Sequence, residues 1–394
     1  MRAALFISAA LIAAPAYAQN QQIELRGVSA VTSVEVGEAQ DVGASAIAGG
    51  NAVTAVNIGV DAVRTNSQTM AGATQARAEA EVWDAPGVVT ISAAAVNNGA
   101  TAQAQGGDLE IRSTQSNSGD AGATANLQSG YAGYGTASAS ASGNVGAVSA
   151  ENSEIRAIST QTSSGAVSAS SEADYDAADV GAGAAIASAN NVTVAGDTAT
   201  VLTDTTQRAS GAGVDARSDV YVGYANDAAS NATANANAIT IDNQWGYVNA
   251  RADQQSSANV QADSYVTLGG DFTGYASAGA YGVGNSFNVS NVGSDTDLDV
   301  TQANSGDVSA NAAMIGQGGD IAVASAAAYG NSMSAALCAY CDTNMPEMHG
   351  AGSQVNDGAV NASARVVAPS ARVVGASATA IGNAATFQTT GPTN

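Results

Sequence analysis

The sequence predicts an all-β chain, a β-solenoid (β-helix) of about eight repeats of 46–47 residues. Three observations predict it: two residue ladders share one period, small apolar residues alternate around each rung, and the apolar content is too light for a thick globular core.

The ladders come first. Glutamine recurs at Gln22, Gln68, Gln115, Gln161, Gln207, Gln254, Gln302 and Gln354, with gaps of 46, 47, 46, 46, 47, 48 and 52. Asparagine recurs at Asn51, Asn98, Asn144, Asn190, Asn237, Asn285, Asn331 and Asn383. Each Asn precedes the next Gln by 17 residues in six of seven cases, and by 23 in the last. A fixed period over the whole chain is the signature of a stacked array. In such a stack equivalent residues lie about 4.8 Å apart, so repeated amides form hydrogen-bonded columns, and a change in coil length would break them.

Alternation supplies the strands. Ahead of the Asn, alanines sit at every second position, as in Ala137, Ala139, Ala141 and in Ala324, Ala326, Ala328. After it apolar residues fall two and four positions on: Val192 and Val194, Ile239 and Ile241, Phe287 and Val289. Period two marks strands with one buried face. Thr or Ser usually precedes the Gln, and a Gly tends to follow it by four (Gly72, Gly119, Gly165, Gly211, Gly306, Gly358), where a tight turn needs backbone freedom. Each unit therefore reads as four short strands in two coils of roughly 23 residues. Sixteen coils would make a rod roughly 75 Å long. Alanine also favours helices, but strict alternation and the density of Gly, Thr, Asn and Val in every unit oppose that reading.

Composition is the third observation. Alanine and valine dominate the apolar residues, aromatics are 5%, and only seven leucines follow residue 18. Such side chains fill a narrow space between close sheets. The net charge is −23, there is no lysine, and the 11 arginines are isolated, which argues against nucleic acid or anionic lipid as partner. With 45% hydrophobic residues and dispersed acids, the composition is not that of a disordered chain.

In chain order, residues 1–18 read as a secretory signal peptide: Arg2, an apolar stretch from Ala3 to Ala14, and Ala16-Tyr17-Ala18 before a cut at Gln19. Residues 19–394 form one repetitive solenoid with no room for a further domain. A six-residue insertion near 338–350 holds the only cysteines, Cys338 and Cys341, and the only histidine, His349.

Chemistry is sparse. General acid–base catalysis wants paired carboxylates, a histidine or a shifted lysine. The acids Glu79 with Glu81, and Asp295, Asp297 and Asp299, share a strand face and read as a solvated negative surface, so no catalytic residue is expected. No cofactor is expected either. Gly-Gly-Asp-apolar motifs at 106–109, 269–272 and 318–321 leave Ca2+ open, although the nine-residue calcium roll is never completed. Cys338-x-x-Cys341 fits a local disulfide in an exported chain better than a metal or redox site. The tyrosines Tyr131, Tyr134, Tyr221, Tyr224, Tyr275, Tyr281 and Tyr329 fall mostly between Gln and Asn, beside glycines. If stacked on one flank they would offer flat faces to sugar rings or a partner; equally, they could cover the solenoid turns.

The Gly-Asn pairs (Gly50-Asn51, Gly143-Asn144, Gly284-Asn285, Gly330-Asn331, Gly382-Asn383) and the Ser or Thr before Gln resemble a relaxed form of the curli major subunit repeat. The leader, acidic charge, length and Ala/Gly/Ser/Asn richness resemble more closely the holdfast anchor family, HfaD, of stalked alphaproteobacteria. That resemblance implies a non-catalytic protein on the outer surface of the envelope that attaches an extracellular adhesive polysaccharide. It also implies companions, namely a small curli-like subunit and a curli-type outer-membrane secretion lipoprotein. A fibre-forming subunit polymerising through open terminal coils, or a carbohydrate-active enzyme on a solenoid, are the competing readings.

Overall fold

The computed structural model describes residues 16–339 and 345–391. Among them there are parallel strands and turns and no helix, so none is long and apolar enough to cross a membrane. The strands form two sheets, one of eight strands of 9–10 residues and one of twelve strands of 8–32 residues. Both are parallel throughout, and every pairing joins residues one repeat apart.

The β-solenoid expectation is met, with one correction: a repeat is one coil, not two. Ala62–Met70 pairs with Leu109–Asn117, offset 47, and no pairing has an offset near 23. Alternation restarts after both Gln and Asn, which made each half-unit look like a coil. The restart instead marks a crossing from one wall to the other within a single flattened coil. The first wall holds a short strand such as Leu109–Asn117 followed by a stretch such as 121–129. The chain then bends, and the second wall runs back past both, as in 135–151. Eight coils at the usual strand spacing give a stack of about 38 Å, while a 17-residue wall is roughly 55 Å long. The molecule is a slab, wider than it is tall.

Between the walls lie two cores. One is almost all alanine and valine: Ala76, Ala78 and Ala80 face Ile91, Ala93 and Ala95, and the pattern repeats coil upon coil. The other takes larger side chains, such as Ile155, Val201, Ile239, Phe287 and Met333. The alanines at every second position before the Asn and the pairs after it are the inward residues of these two cores. At the Asn two consecutive residues point inward, as Asn97 and Asn98 do, so the phase of alternation flips. A glycine beside the Asn makes room: a Cβ on Gly143 would lie 2.6 Å from the Ala189 carbonyl and 2.8 Å from Ser163 Oγ.

The turn glycines four after Gln have a different cause from the expected one. Of these only Gly211 has a positive φ, of 115°. A Cβ on Gly119 would lie 2.0 Å from the Gly72 carbonyl, and one on Gly165 2.1 Å from that of Gly119. Closely stacked backbones exclude a side chain there.

The insertion falls between the strands Ile321–Cys338 and Met348–Asn356, where the pairing offset grows to 52. Cys338 is half-buried at its strand end; the expected disulfide partner, Cys341, lies outside the described residues. The first short strand, Ala16–Glu24, begins within the expected leader and pairs with Ala62–Met70. Cleavage before Gln19 would leave six of those nine pairs.

Candidate functional site

Separating the two cores, the amides form continuous columns. Asn144 donates to Asn190 Oδ1 at 2.8 Å and Asn190 to Asn237 Oδ1 at 2.8 Å. The run extends from Asn51 through Asn98, Asn285 and Asn331 to Asn383. The glutamines Gln68, Gln115, Gln161, Gln207, Gln254, Gln302 and Gln354 form a second run that starts on Gln22. Every amide of the columns except Asn383 also donates across to the backbone: Gln161 to Asn191 O at 3.0 Å, Asn144 to Thr162 O at 2.9 Å. The columns thus tie the walls together as well as the coils. Asn donates toward the C-terminal end and Gln toward the N-terminal end, so the two rows of amide dipoles oppose one another.

This scaffold presents carboxylates in two settings. At the turns they cap the next coil: Asp61 accepts from Asp108 N–H at 3.0 Å, Asp108 from Glu154 N–H at 3.0 Å, and Asp120 from Ala166 N–H at 2.9 Å. The Gly-Gly-Asp motif at 106–109 supplies such a cap in Asp108. Sequence reasoning missed this use of the acids; the offset Asp61 to Asp108, again 47, was the signal. Among the described residues no three His, Cys, Asp or Glu side chains are grouped to hold a metal.

The second setting is the outer face where the first wall meets the bend. Here Glu35, Glu81, Gln128 and Asp174 are successive rungs of one column. In the next column outward the register sets Trp83 between Gly37 and Gly130, followed by Asp176. Together they line a cleft of about 410 Å³. Trp83 is 74% exposed, and nothing lies within 4 Å of where a Gly37 side chain would begin. Partial burial, and then the neighbouring Asp176 charge, push the Asp174 carboxyl above the ordinary carboxylate range. Among the described residues no arginine pairs with Glu35, Glu81, Asp174 or Asp176, whereas Glu79 and Glu110 are paired with Arg77 and Arg112.

The seven tyrosines do not share one flank. Tyr221 continues the acidic column one coil past Asp174. Tyr131, Tyr134 and Tyr224 stand on the bend, the last 72% exposed, and Tyr131 donates to Asp179 at 3.2 Å. Desolvation, and then the charge and hydrogen bond of Asp179, raise the Tyr131 phenol above its usual value. Tyr275 begins the second wall. Tyr281 and Tyr329 are six or more residues further along it, roughly 20 Å away, with their rings 5.7 Å apart. A different tyrosine covers the inside of the bend: Tyr175 is fully buried where Gly135 and Gly181 leave it space.

A stacked, amide-laddered array of parallel strands whose outer faces vary from coil to coil defines a β-solenoid repeat protein. The family described as holdfast attachment protein D, HfaD, matches residues 36–307, well over half of the chain, and the chain belongs to that family. Membership implies holdfast attachment, a cell-adhesion role at the cell surface involving the holdfast polysaccharide. No match is found among curated proteins or among solved structures.

Proposed function

We propose that the chain is a non-catalytic anchor, exported by the leader at residues 1–18, that holds holdfast polysaccharide to the outside of the envelope beside a curli-like subunit and a curli-type outer-membrane lipoprotein. The family match carries the reading. The geometry suits it, because a slab fixed by internal amide columns keeps its outer side chains in place while a long polymer pulls on them. Deleting the gene tests it: cells should shed their adhesive onto the substratum, and normal retention overturns the anchor role.

A second reading, self-assembly end to end, is favoured by one observation. Among the described residues Gln22 donates to Ala52 O and to no further glutamine, while Gln354 Oε1 at the other end of the column accepts from no amide. Asn383 accepts from Asn331 but donates to nothing described, and Asn51 Oδ1 accepts from no described amide. The two ends of the described stack are therefore complementary, and an unpaired strand edge is a template for another chain. Purified protein should form filaments of stacked slabs that Gln354→Leu with Asn383→Leu abolishes; a monomer at all concentrations sinks this reading.

A further inference from the structure

We propose that the outer face of the second wall is an interface between two copies of this chain, packed face to face as a closed dimer. Neither the anchoring role nor growth through the ends is needed for it.

Charge singles out this face. Outward residues alternate along each second-wall strand, as Gly43, Ser45 and Ile47 do in the first coil and Ala182, Ala184 and Ile186 in the fourth. Over all the coils only Glu151, Asp197 and Asp242 are charged among them, each at or near the end of its strand. The first wall instead turns its ions outward, such as Arg77 with Glu79, Arg112 with Glu110 and Arg217 with Asp219. In a chain of net charge −23, a second copy approaching the first wall or the bend meets like charges, which repel. On the second wall it meets almost none.

The face is also large and in part apolar. Ile47 is 75% exposed there and Ile58 67%, with Val56 and Ile186 close to half exposed. About 55 Å along the strands by about 38 Å up the stack gives about 2,000 Å². Each partner in a stable complex buries roughly 800 Å². Between the large residues stand Ala, Gly, Ser and Thr, which let two sheets approach to about 10 Å and interdigitate.

The arrangement of large and small residues is complementary to itself. Register strings Ile47, Ala94, Ser140, Ile186, Thr233, Tyr281, Ala327 and Thr379 into one column, one residue per coil. A two-fold axis along the strands at mid-stack sets the first coil opposite the eighth and the fourth opposite the fifth. Ile47 then faces Thr379, Tyr281 faces Ser140 and Ile186 faces Thr233, so each large side chain meets a small one. Under the same relation Glu151, Asp197 and Asp242 face Val292, Gln244 and Ala195, and no carboxylate faces another. In the column two residues on, the buried atoms Ser188 Oγ and Asn235 Oδ1 have no hydrogen-bond partner among the described residues. The axis sets Ser188 of each copy opposite Asn235 of the other, a hydroxyl donor against a carbonyl acceptor. A lipid surface would want an unbroken apolar face, and a partner of unrelated sequence would not carry the reciprocal pattern.

The exported chain carrying Gln354→Leu with Asn383→Leu, which blocks growth through the ends, should be weighed by sedimentation equilibrium at micromolar concentration. Twice the monomer mass is expected, and the dimer should tighten as salt screens the net charge. Thr193→Glu with Thr240→Glu sets carboxylates face to face near the axis and should weaken the dimer at least tenfold. The circular dichroism should not change, since both side chains point outward. Mixing that variant with Thr193→Lys, Thr240→Lys should restore a mixed dimer, whereas Thr114→Glu with Thr160→Glu on the first wall should leave dimerisation as it was. A monomer throughout, species beyond the dimer, an undiminished dimer in the Thr193→Glu, Thr240→Glu chain, no rescue by mixing, or equal loss from the first-wall pair overturns the inference.

Discussion

The middle of the slab and its outer bend obey opposite rules. Through the middle, the same Asn and Gln recur in every coil, and away from the two ends each is buried and donates twice. On the bend, the position of Trp83 passes from Gly to Trp to Gly to Asp in four successive coils. A buried amide must find its partner one coil away, so any departure orphans two neighbours as well as itself. An outward side chain meets only water and what water carries, and is free to differ. In this protein repetition therefore marks what holds the stack together, and departures from repetition mark what the stack presents.

That contrast can be broken most severely in the column. Asn190→Leu orphans the Asn144 amide, Asn237 Oδ1 and the Arg208 carbonyl, all deep between the walls. It should cost about 3 kcal/mol or more, read as a loss of denaturation midpoint; a change under 1 kcal/mol would mean the columns are ornamental. Next comes the turn stack, where Gly119→Val drives a side chain into the Gly72 carbonyl. A loss of about 2–3 kcal/mol is expected by the same measurement; tolerance of valine would return the glycine to a purely conformational role.

The turn caps should matter less. Asp108→Ala removes one acceptor for the Glu154 amide at an exposed site, for a loss of about 1 kcal/mol. Faster hydrogen exchange confined to that turn would localise it, and unchanged exchange would contradict the cap.

The smallest effect belongs to the surface pair Asp320 and Arg372 near the C-terminal end, in which the guanidinium donates to both carboxylate oxygens. That hydrogen bonding holds the Asp320 carboxyl below the ordinary carboxylate range. A carboxyl depressed on folding adds stability that is complete above its unfolded pKa and lost as pH falls through the folded value. The small gap in melting temperature between wild type and Arg372→Gln should thus be widest near neutrality and close in acid. A gap that widens in acid would invert the assignment.

How much of this the residues themselves disclosed depends on which face they occupy. The period, the inward alanines and both amide columns follow from spacing, because stacking forces equivalent positions to agree in size and polarity. The cleft was invisible in that sense: Glu35, Glu81 and Asp174 are 46 and 93 residues apart, and sequence reading paired Glu81 with Glu79 on its own strand instead of across coils. Among the aromatics the tyrosines drew notice by number, yet they divide between bend and wall, whereas Trp83, one of two tryptophans, stands in an acidic cleft.

By itself, then, the sequence determined that identical coils pile up in register, since the 46–47-residue spacing of hydrogen-bonding amides allows no other economy of buried polar groups. Tertiary structure alone decided that each repeat closes as one broad coil and not two narrow ones. It also decided which acids from distant coils become neighbours. Both depend on where the chain bends, and a bend is set by packing between walls that no local pattern reports.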